Sequence, residues 1–186
     1  AWEGALLLFA GKLEPNKGAG LLPAIFRELR ALAPAGLPPF TLVVAGDGAM
    51  RPQLERELAA LGVPARFLAW AGHDETLRLM ARCDLLLFPS AWGEPLSRVL
   101  LEAASLGAPI LAMPTGGTRD IVQDGATGAL APTPQRFAAR LAALLADGAE
   151  RRRLGEAARA RARWAFSVAE NIGHYEALYA ELIERT

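Results

Sequence analysis

One cysteine, two histidines and a formal net charge of zero set the first limits on this 186-residue chain. A single thiol, Cys83, precludes an internal disulfide framework. It precedes a strand-like apolar run, so it reads as a small core residue rather than a nucleophile. Histidine and cysteine are too few and too scattered to form a metal site, and no metal is expected. Lys plus Arg equals Asp plus Glu, which leaves no electrostatic footprint for nucleic acid. No run of eighteen apolar residues lacks a charge, and no signal-peptide pattern opens the chain. A soluble, cytoplasmic protein is expected. The dinucleotide fingerprint G-x-G-x-x-G and the P-loop G-x-x-x-x-G-K-[ST] are also missing.

What is present is a regular alternation of apolar runs and helical patterns. Strands are expected at Ala5 to Ala10, Phe40 to Ala45, Arg66 to Trp70, Leu85 to Phe88, Pro109 to Met113 and Gly128 to Ala131. Helices are expected between them, at Gly18 to Ala33, Met50 to Leu61, Glu75 to Arg82, Leu96 to Leu106 and Thr118 to Val122. The strands are continuously apolar rather than alternating, as in a parallel sheet covered on both faces. Right-handed strand–helix units then give a doubly wound, Rossmann-like α/β sheet of about six strands over residues 1–133. From residue 134 to residue 186 the chain reads as helical, at Gln135 to Ala146, Glu150 to Trp164 and Val168 to Glu184. These helices are expected to pack on the same domain. A start without methionine, directly in strand-like sequence, suggests a piece of a longer protein.

Ligands of such sheets bind beyond the carboxyl ends of the strands, at the switch point between the first and fourth. The two most distinctive loops follow those strands: Gly11 to Gly18, G-K-L-E-P-N-K-G, and Pro89 to Ser97, P-S-A-W-G-E-P-L-S. In the second, Glu94 and Glu102 stand eight residues apart around a helix start, with Pro95 suited to the first turn. A helix beginning near Leu96 places Glu102 roughly 9 Å from the terminus. The terminus itself offers unpaired N–H groups to a phosphate. Glu102 lies on a helix that is apolar almost all round, where a carboxylate needs a partner. That partner is either a cation, Arg98 one turn earlier or another, or a diol, such as two ribose hydroxyls. Lys12 and Lys17 flank a Pro15–Asn16 turn and would neutralise a diphosphate, or else stay solvated.

Weaker signals remain. Gly46-Asp47-Gly48 after the second strand is either a tight turn capped by Asp47 or part of the site. Gly116-Gly117 can bare backbone N–H groups or merely turn the chain. His73 could reach the site but reads as a bystander. The six arginines between Glu150 and Arg163 read as a solvated face paired with glutamate, with contact to acidic lipid headgroups as the alternative.

Together these segments resemble the C-terminal, donor-binding half of a GT-B glycosyltransferase of the retaining family 4 (glycosyl transferases group 1). The resemblance spans roughly Ala5 to Leu130. It is carried by G-K-L-E-P-N-K-G, V-V-A-G-D-G, F-P-S-A-W-G-E-P-L-S-R-V-L-L-E-A, G-G-T-R-D and V-Q-D-G-A-T-G. It implies a UDP- or GDP-sugar as substrate and no cofactor. Gly11, Lys12, Lys17, Gly46, Asp47 and Gly48 would bind the donor, with the diphosphate on the two lysines. Glu94, Pro95, Leu96 and Ser97 would hold the transferred sugar and phosphates, Glu94 as the sugar-positioning catalytic residue. Glu102 would take the ribose, and the base would lie between Ala71 and Leu77.

Three positions depart from the family pattern: Lys12 for a usual arginine, Asp120 for glutamate and Ala69 for glycine. The first removes a bidentate fork. The absence of D-x-D argues against the metal-dependent GT-A route. An N-terminal acceptor domain is missing from this chain, and the full-length protein could touch the inner face of the membrane. The competing readings are a nucleotide-sugar epimerase of GT-B-like architecture and a non-catalytic nucleotide-binding module.

Overall fold

The computed structural model describes residues 3–33, 36–69, 72–93 and 95–185. Six strands form one parallel sheet: β1 (Ala5–Ala10), β2 (Phe40–Ala45), β3 (Ala65–Leu68), β4 (Leu85–Phe88), β5 (Ile110–Ala112) and β6 (Ala129–Leu130). Their spatial order is β3-β2-β1-β4-β5-β6. This is the doubly wound arrangement expected, and β1 and β4 meet at the switch point. Pairing is in step along β1 and β2, from Ala5 opposite Phe40 to Ala10 opposite Ala45.

The helices are α1 (Leu22–Leu32), α2 (Arg51–Ala60), α3 (His73–Arg82), α4 (Arg98–Leu106), α5 (Thr118–Ile121), α6 (Pro134–Ala146), α7 (Gly148–Ala165) and α8 (Val168–Glu184). Two short 3₁₀ turns, Pro15–Lys17 and Ala19–Leu21, lead into α1. Successive strand residues point to opposite faces, so the apolar runs feed two cores at once. Leu7, Phe9, Leu42, Val44, Leu85, Leu87 and Leu111 pack with α1, α2 and α6. Leu6, Leu8, Val43, Leu86, Phe88 and Ile110 pack with α3, α4, α5 and α7. Burial on both faces is why these strands do not alternate with polar residues.

Of the helix starts that differ from expectation, two do so for the same reason. Ser97 holds extended backbone geometry and its hydroxyl accepts from the Leu100 N–H, so α4 begins at Arg98 rather than at Leu96. Asp147 caps α7 through the Glu150 N–H at 2.9 Å, starting that helix at Gly148. In each case a capping side chain sets the boundary. Strand β3 runs from Ala65 to Leu68. Trp70, placed in that strand by the sequence pattern, lies outside the described residues.

The arginine run is only partly a solvated face. Arg151 donates to the carbonyls of Leu144 and Leu145, which are left open at the end of α6, and its guanidinium stands 3.8 Å from Asp84. Arg153 bonds both Glu150 and the Gly125 carbonyl, and Arg161 donates to the Asp120 carbonyl at 2.9 Å. These three stitch α7 to the sheet layer, while Arg152, Arg159 and Arg163 are exposed. Helix α6 buries Phe137, Ala138 and Leu141 against the core, and α7 buries Leu154 and Ala158. Helix α8 buries no residue and presents Val168, Ile172, Tyr175, Tyr179 and Ile183 to solvent.

Phe137→Ala should therefore cost about 3–5 kcal/mol of unfolding free energy, the usual range for emptying a large buried site. Ile183→Ala, at a position 75% exposed, should change it by under about 0.5 kcal/mol. Chemical denaturation of the two variants checks the contrast; a large loss at Ile183 would show α8 to be part of the cooperative unit.

Candidate functional site

Three loops converge at the carboxyl end of the sheet, and one buried serine ties them. Ser90, fully buried in the loop after β4, donates its hydroxyl to the Asn16 carbonyl at 3.2 Å. Its own carbonyl accepts from the Thr115 hydroxyl at 2.9 Å. The lysine loop after β1 and the loop after β5 are thus both fixed to the strand that precedes α4. Gly18 makes the approach possible: its φ is +73°, and a Cβ there would fall 1.8 Å from the Pro89 carbonyl oxygen. The loop after β2 closes in the same manner, since a Cβ on Gly46 would sit 1.9 Å from the Gly11 oxygen. Leu13 N–H then reaches the Asp47 carbonyl at 2.9 Å.

Between these loops and the start of α4 lies an open cleft of about 630 Å³. Of the residues singled out from the sequence, it gathers Gly11, Lys12, Lys17, Gly46, Asp47, Leu96, Ser97 and Glu102. Gly48 packs against Leu13 instead, and its N–H donates to Asp47 Oδ1 at 2.9 Å. Asp47 is therefore a turn residue, with Met50 at the N-cap of α2. Pro95 does not line the cleft and precedes α4 rather than opening its first turn. Leu77 turns away to pack on the apolar core. Glu94 and Ala71 lie outside the described residues.

The later start of α4 changes the geometry of Glu102. It is the fifth residue of the helix, about 6 Å along the axis from Arg98 rather than 9 Å. The helix is less buried than its composition suggests. Glu102 is half-buried, and Ser105 and Leu106 are exposed. No ion pair between Arg98 and Glu102 forms among the described residues. Glu102 lines the cleft with its carboxylate wet and available. At the helix start, Ser97 satisfies the Leu100 and Leu101 N–H groups, while the Arg98 and Val99 N–H groups have no partner among the described residues. Both of those residues line the cleft, so the positive end of the helix dipole opens into it.

His73, set aside from the sequence as a bystander, lines the cleft, and so do Thr76 and Arg98, which the sequence did not place there. The signal for the first two was the phase of α3. Leu77 and Met80 face the core, so residues three and four positions back lie on an adjoining stripe at its edge. Lys12 is mostly solvated, 3.9 Å from Glu14, whereas Lys17 is half-buried. Among the described residues, no group of His, Cys, Asp and Glu is placed to hold a metal ion. Among the same residues, no helix is long and apolar enough to cross a membrane.

This is the architecture of an α/β domain with an open cleft at its switch point, lined by two lysines and a helix start. The pattern of glycosyl transferases group 1 matches residues 3–161, and the chain belongs to that family. A D-inositol 3-phosphate glycosyltransferase from Stackebrandtia nassauensis is 33% identical over 186 aligned residues, covering 93% of this chain and 42% of that protein. The chain thus spans well under half the length of that curated relative. Anabaena HepE, solved in complex with UDP and glucose, is 26% identical with a TM-score of 0.79, over 96% of this chain and 49% of that one. The fold also matches the C-terminal domain of a group 1 glycosyl transferase, LpcC from Francisella tularensis. That match has a TM-score of 0.75 at 18% identity, over 88% of this chain and 87% of that one. Fold and family together make this the C-terminal half of a GT-B glycosyltransferase.

Cys83 takes no part in the cleft. Burial, reinforced by Asp84, pushes its thiol up to about 12, and Sγ donates to the Met80 carbonyl at 3.3 Å. A raised thiol value means that the unfolded chain ionises first. Stability should fall as pH rises from 9.0 toward about 12. At pH 8 the folded protein should react with Ellman's reagent only on the timescale of unfolding, and at once in denaturant. Rapid labelling of the folded chain would show that the thiol is accessible.

Proposed function

We propose that this domain binds the donor of a retaining glycosyltransferase, a UDP- or GDP-activated sugar, without a metal ion. The observation that carries the reading is the convergence of Lys12, Lys17, Glu102 and the unpartnered N–H groups of Arg98 and Val99 on one cleft. HepE, solved in complex with UDP and glucose, adds support through its similar fold and sequence.

Each element has a distinct task in that reading. The lysines and the α4 terminus carry positive charge toward a diphosphate that gains negative charge as the glycosidic bond breaks. This is electrostatic stabilisation of the leaving group. It supplies what a divalent ion supplies elsewhere. Glu102, about one helical turn from that terminus, accepts from two ribose hydroxyls, and its wet carboxylate loses less hydration on binding than a buried one would. His73 and Thr76, across the cleft on α3, flank the space left for the base. Glu94 positions the transferred sugar. The acceptor is held by a domain outside this chain, which closes over the cleft and excludes water during transfer.

Calorimetry with UDP or GDP should give the same affinity with and without EDTA; loss of binding on chelation would overturn the metal-free reading. Lys17→Ala should weaken UDP by about 1.5–3 kcal/mol, the range for a charged hydrogen bond. Glu102→Gln should weaken UDP while leaving pyrophosphate binding nearly unchanged. Equal loss for both ligands would assign Glu102 to the fold alone.

A further inference from the structure

A second concavity of about 440 Å³ opens at the far edge of the sheet, lined by Arg119, Asp124, Arg136 and Arg140 over an apolar floor that includes Pro114 and Leu130. It lies at the carboxyl ends of β5 and β6. Three strand spacings separate β6 from β1, so its centre stands roughly 14 Å from the lysine loop. The two sites share no lining residue.

The charges here are placed against local electrostatics. Arg136 sits in the first turn of α6, where the helix dipole is positive and a cation is disfavoured. Arg140 follows it by four residues, the spacing at which like charges repel. The lining holds one carboxylate, Asp124, and it is already committed. Its Oδ1 accepts from the Leu130 N–H at 2.9 Å and its Oδ2 stands 3.6 Å from Arg140. The guanidinium groups of Arg119 and Arg136 have no hydrogen bond or ion pair among the described residues. Two positive charges are therefore uncompensated in one hollow of a chain whose overall charge is zero. An anion would relieve the repulsion and take up the open forks.

We propose that this hollow is a separate binding site for a compact phosphomonoester. Guanidinium forks match the oxygens of a phosphate bidentately. The volume admits a small polyol or sugar body, which would rest on the Pro114 and Leu130 floor. The phosphate could be borne by a free metabolite or by the acceptor, and the donor cleft provides the distinction.

The test follows the arginine Nε–H resonances of the 186-residue chain while inorganic phosphate, then glucose 6-phosphate, is added at constant ionic strength with chloride as control. Saturable shifts confined to Arg119, Arg136 and Arg140 are expected. Arg136→Gln should weaken binding about ten-fold or more, with Arg136→Lys intermediate. Arg136 is chosen because its guanidinium makes no hydrogen bond or ion pair among the described residues, so the backbone spectrum should be unchanged. Lys17→Ala, in the other cleft, should leave the phosphate-induced shifts of Arg119, Arg136 and Arg140 intact whether or not that cleft binds donor. An affinity for glucose 6-phosphate that changes when UDP is present marks an acceptor-borne phosphate, and an unchanged one marks a free metabolite. Linear shifts equal to those with chloride, or an affinity unaltered in Arg136→Gln, would overturn the proposal.

Discussion

The hydroxyl of Ser90 is the tie on which the cleft depends. A buried hydroxyl without a partner costs about 1–3 kcal/mol, and the nearest remedy is the carbonyl of Asn16, seventy-four residues away in sequence. Satisfying it pulls the loop after β1 onto the loop after β4. The Thr115 bond to the Ser90 carbonyl draws in the loop after β5. Strand order makes this possible, because β1 and β4 are neighbours only in a sheet whose winding reverses between them. Once the loops are tied, the backbone at Lys12 and Lys17 is held on the same cleft as the start of α4. The geometry that gathers positive charge is thus set by a neutral hydrogen bond beneath it.

Charge is then arranged so that little of it must be desolvated in the resting chain. Glu102 is half-buried, and the helix start leaves two N–H groups open to the cleft. A fully buried carboxylate would need an ion-pair partner, and that partner would compete with any ligand diol. A fully exposed one would gain little from a hydrogen bond screened by water. The intermediate position suits the diol-binding role proposed for Glu102, which asks for stability when empty and selectivity when filled. Arg98, exposed and unpaired with Glu102, leaves that carboxylate uncommitted.

The sheet could be read from the sequence because its strands are buried on both faces, which compresses each into an uninterrupted apolar run such as Leu85 to Phe88. The five pairings that order it were implied by the strand–helix alternation. Helix starts were harder. Ser97 and Asp147 decide theirs through a single side-chain-to-backbone bond, a competition that hydrophobic periodicity does not register. His73 was set aside and Thr76 missed because their place in the cleft comes from the phase of α3 against a loop distant in sequence, not from residue type. The Ser90 tie left no local signal. It joins residues that only the completed topology brings together.

The arginines make the same point from the opposite direction. Residue type alone suggested a solvated basic face, yet Arg151, Arg153 and Arg161 each end on a backbone carbonyl that no helix or strand satisfies. The end of α6 leaves carbonyls at Leu144 and Leu145, and only a long donor from the next helix can reach them. Such arginines are structural because an orphaned acceptor fixes each guanidinium. Arg119 and Arg136 meet no such acceptor among the described residues. On a neutral chain, the difference between a clamp and a binding group therefore lies in whether the fold has already provided an oxygen. Where it has not, the open fork is selective for a ligand that brings oxygens of its own.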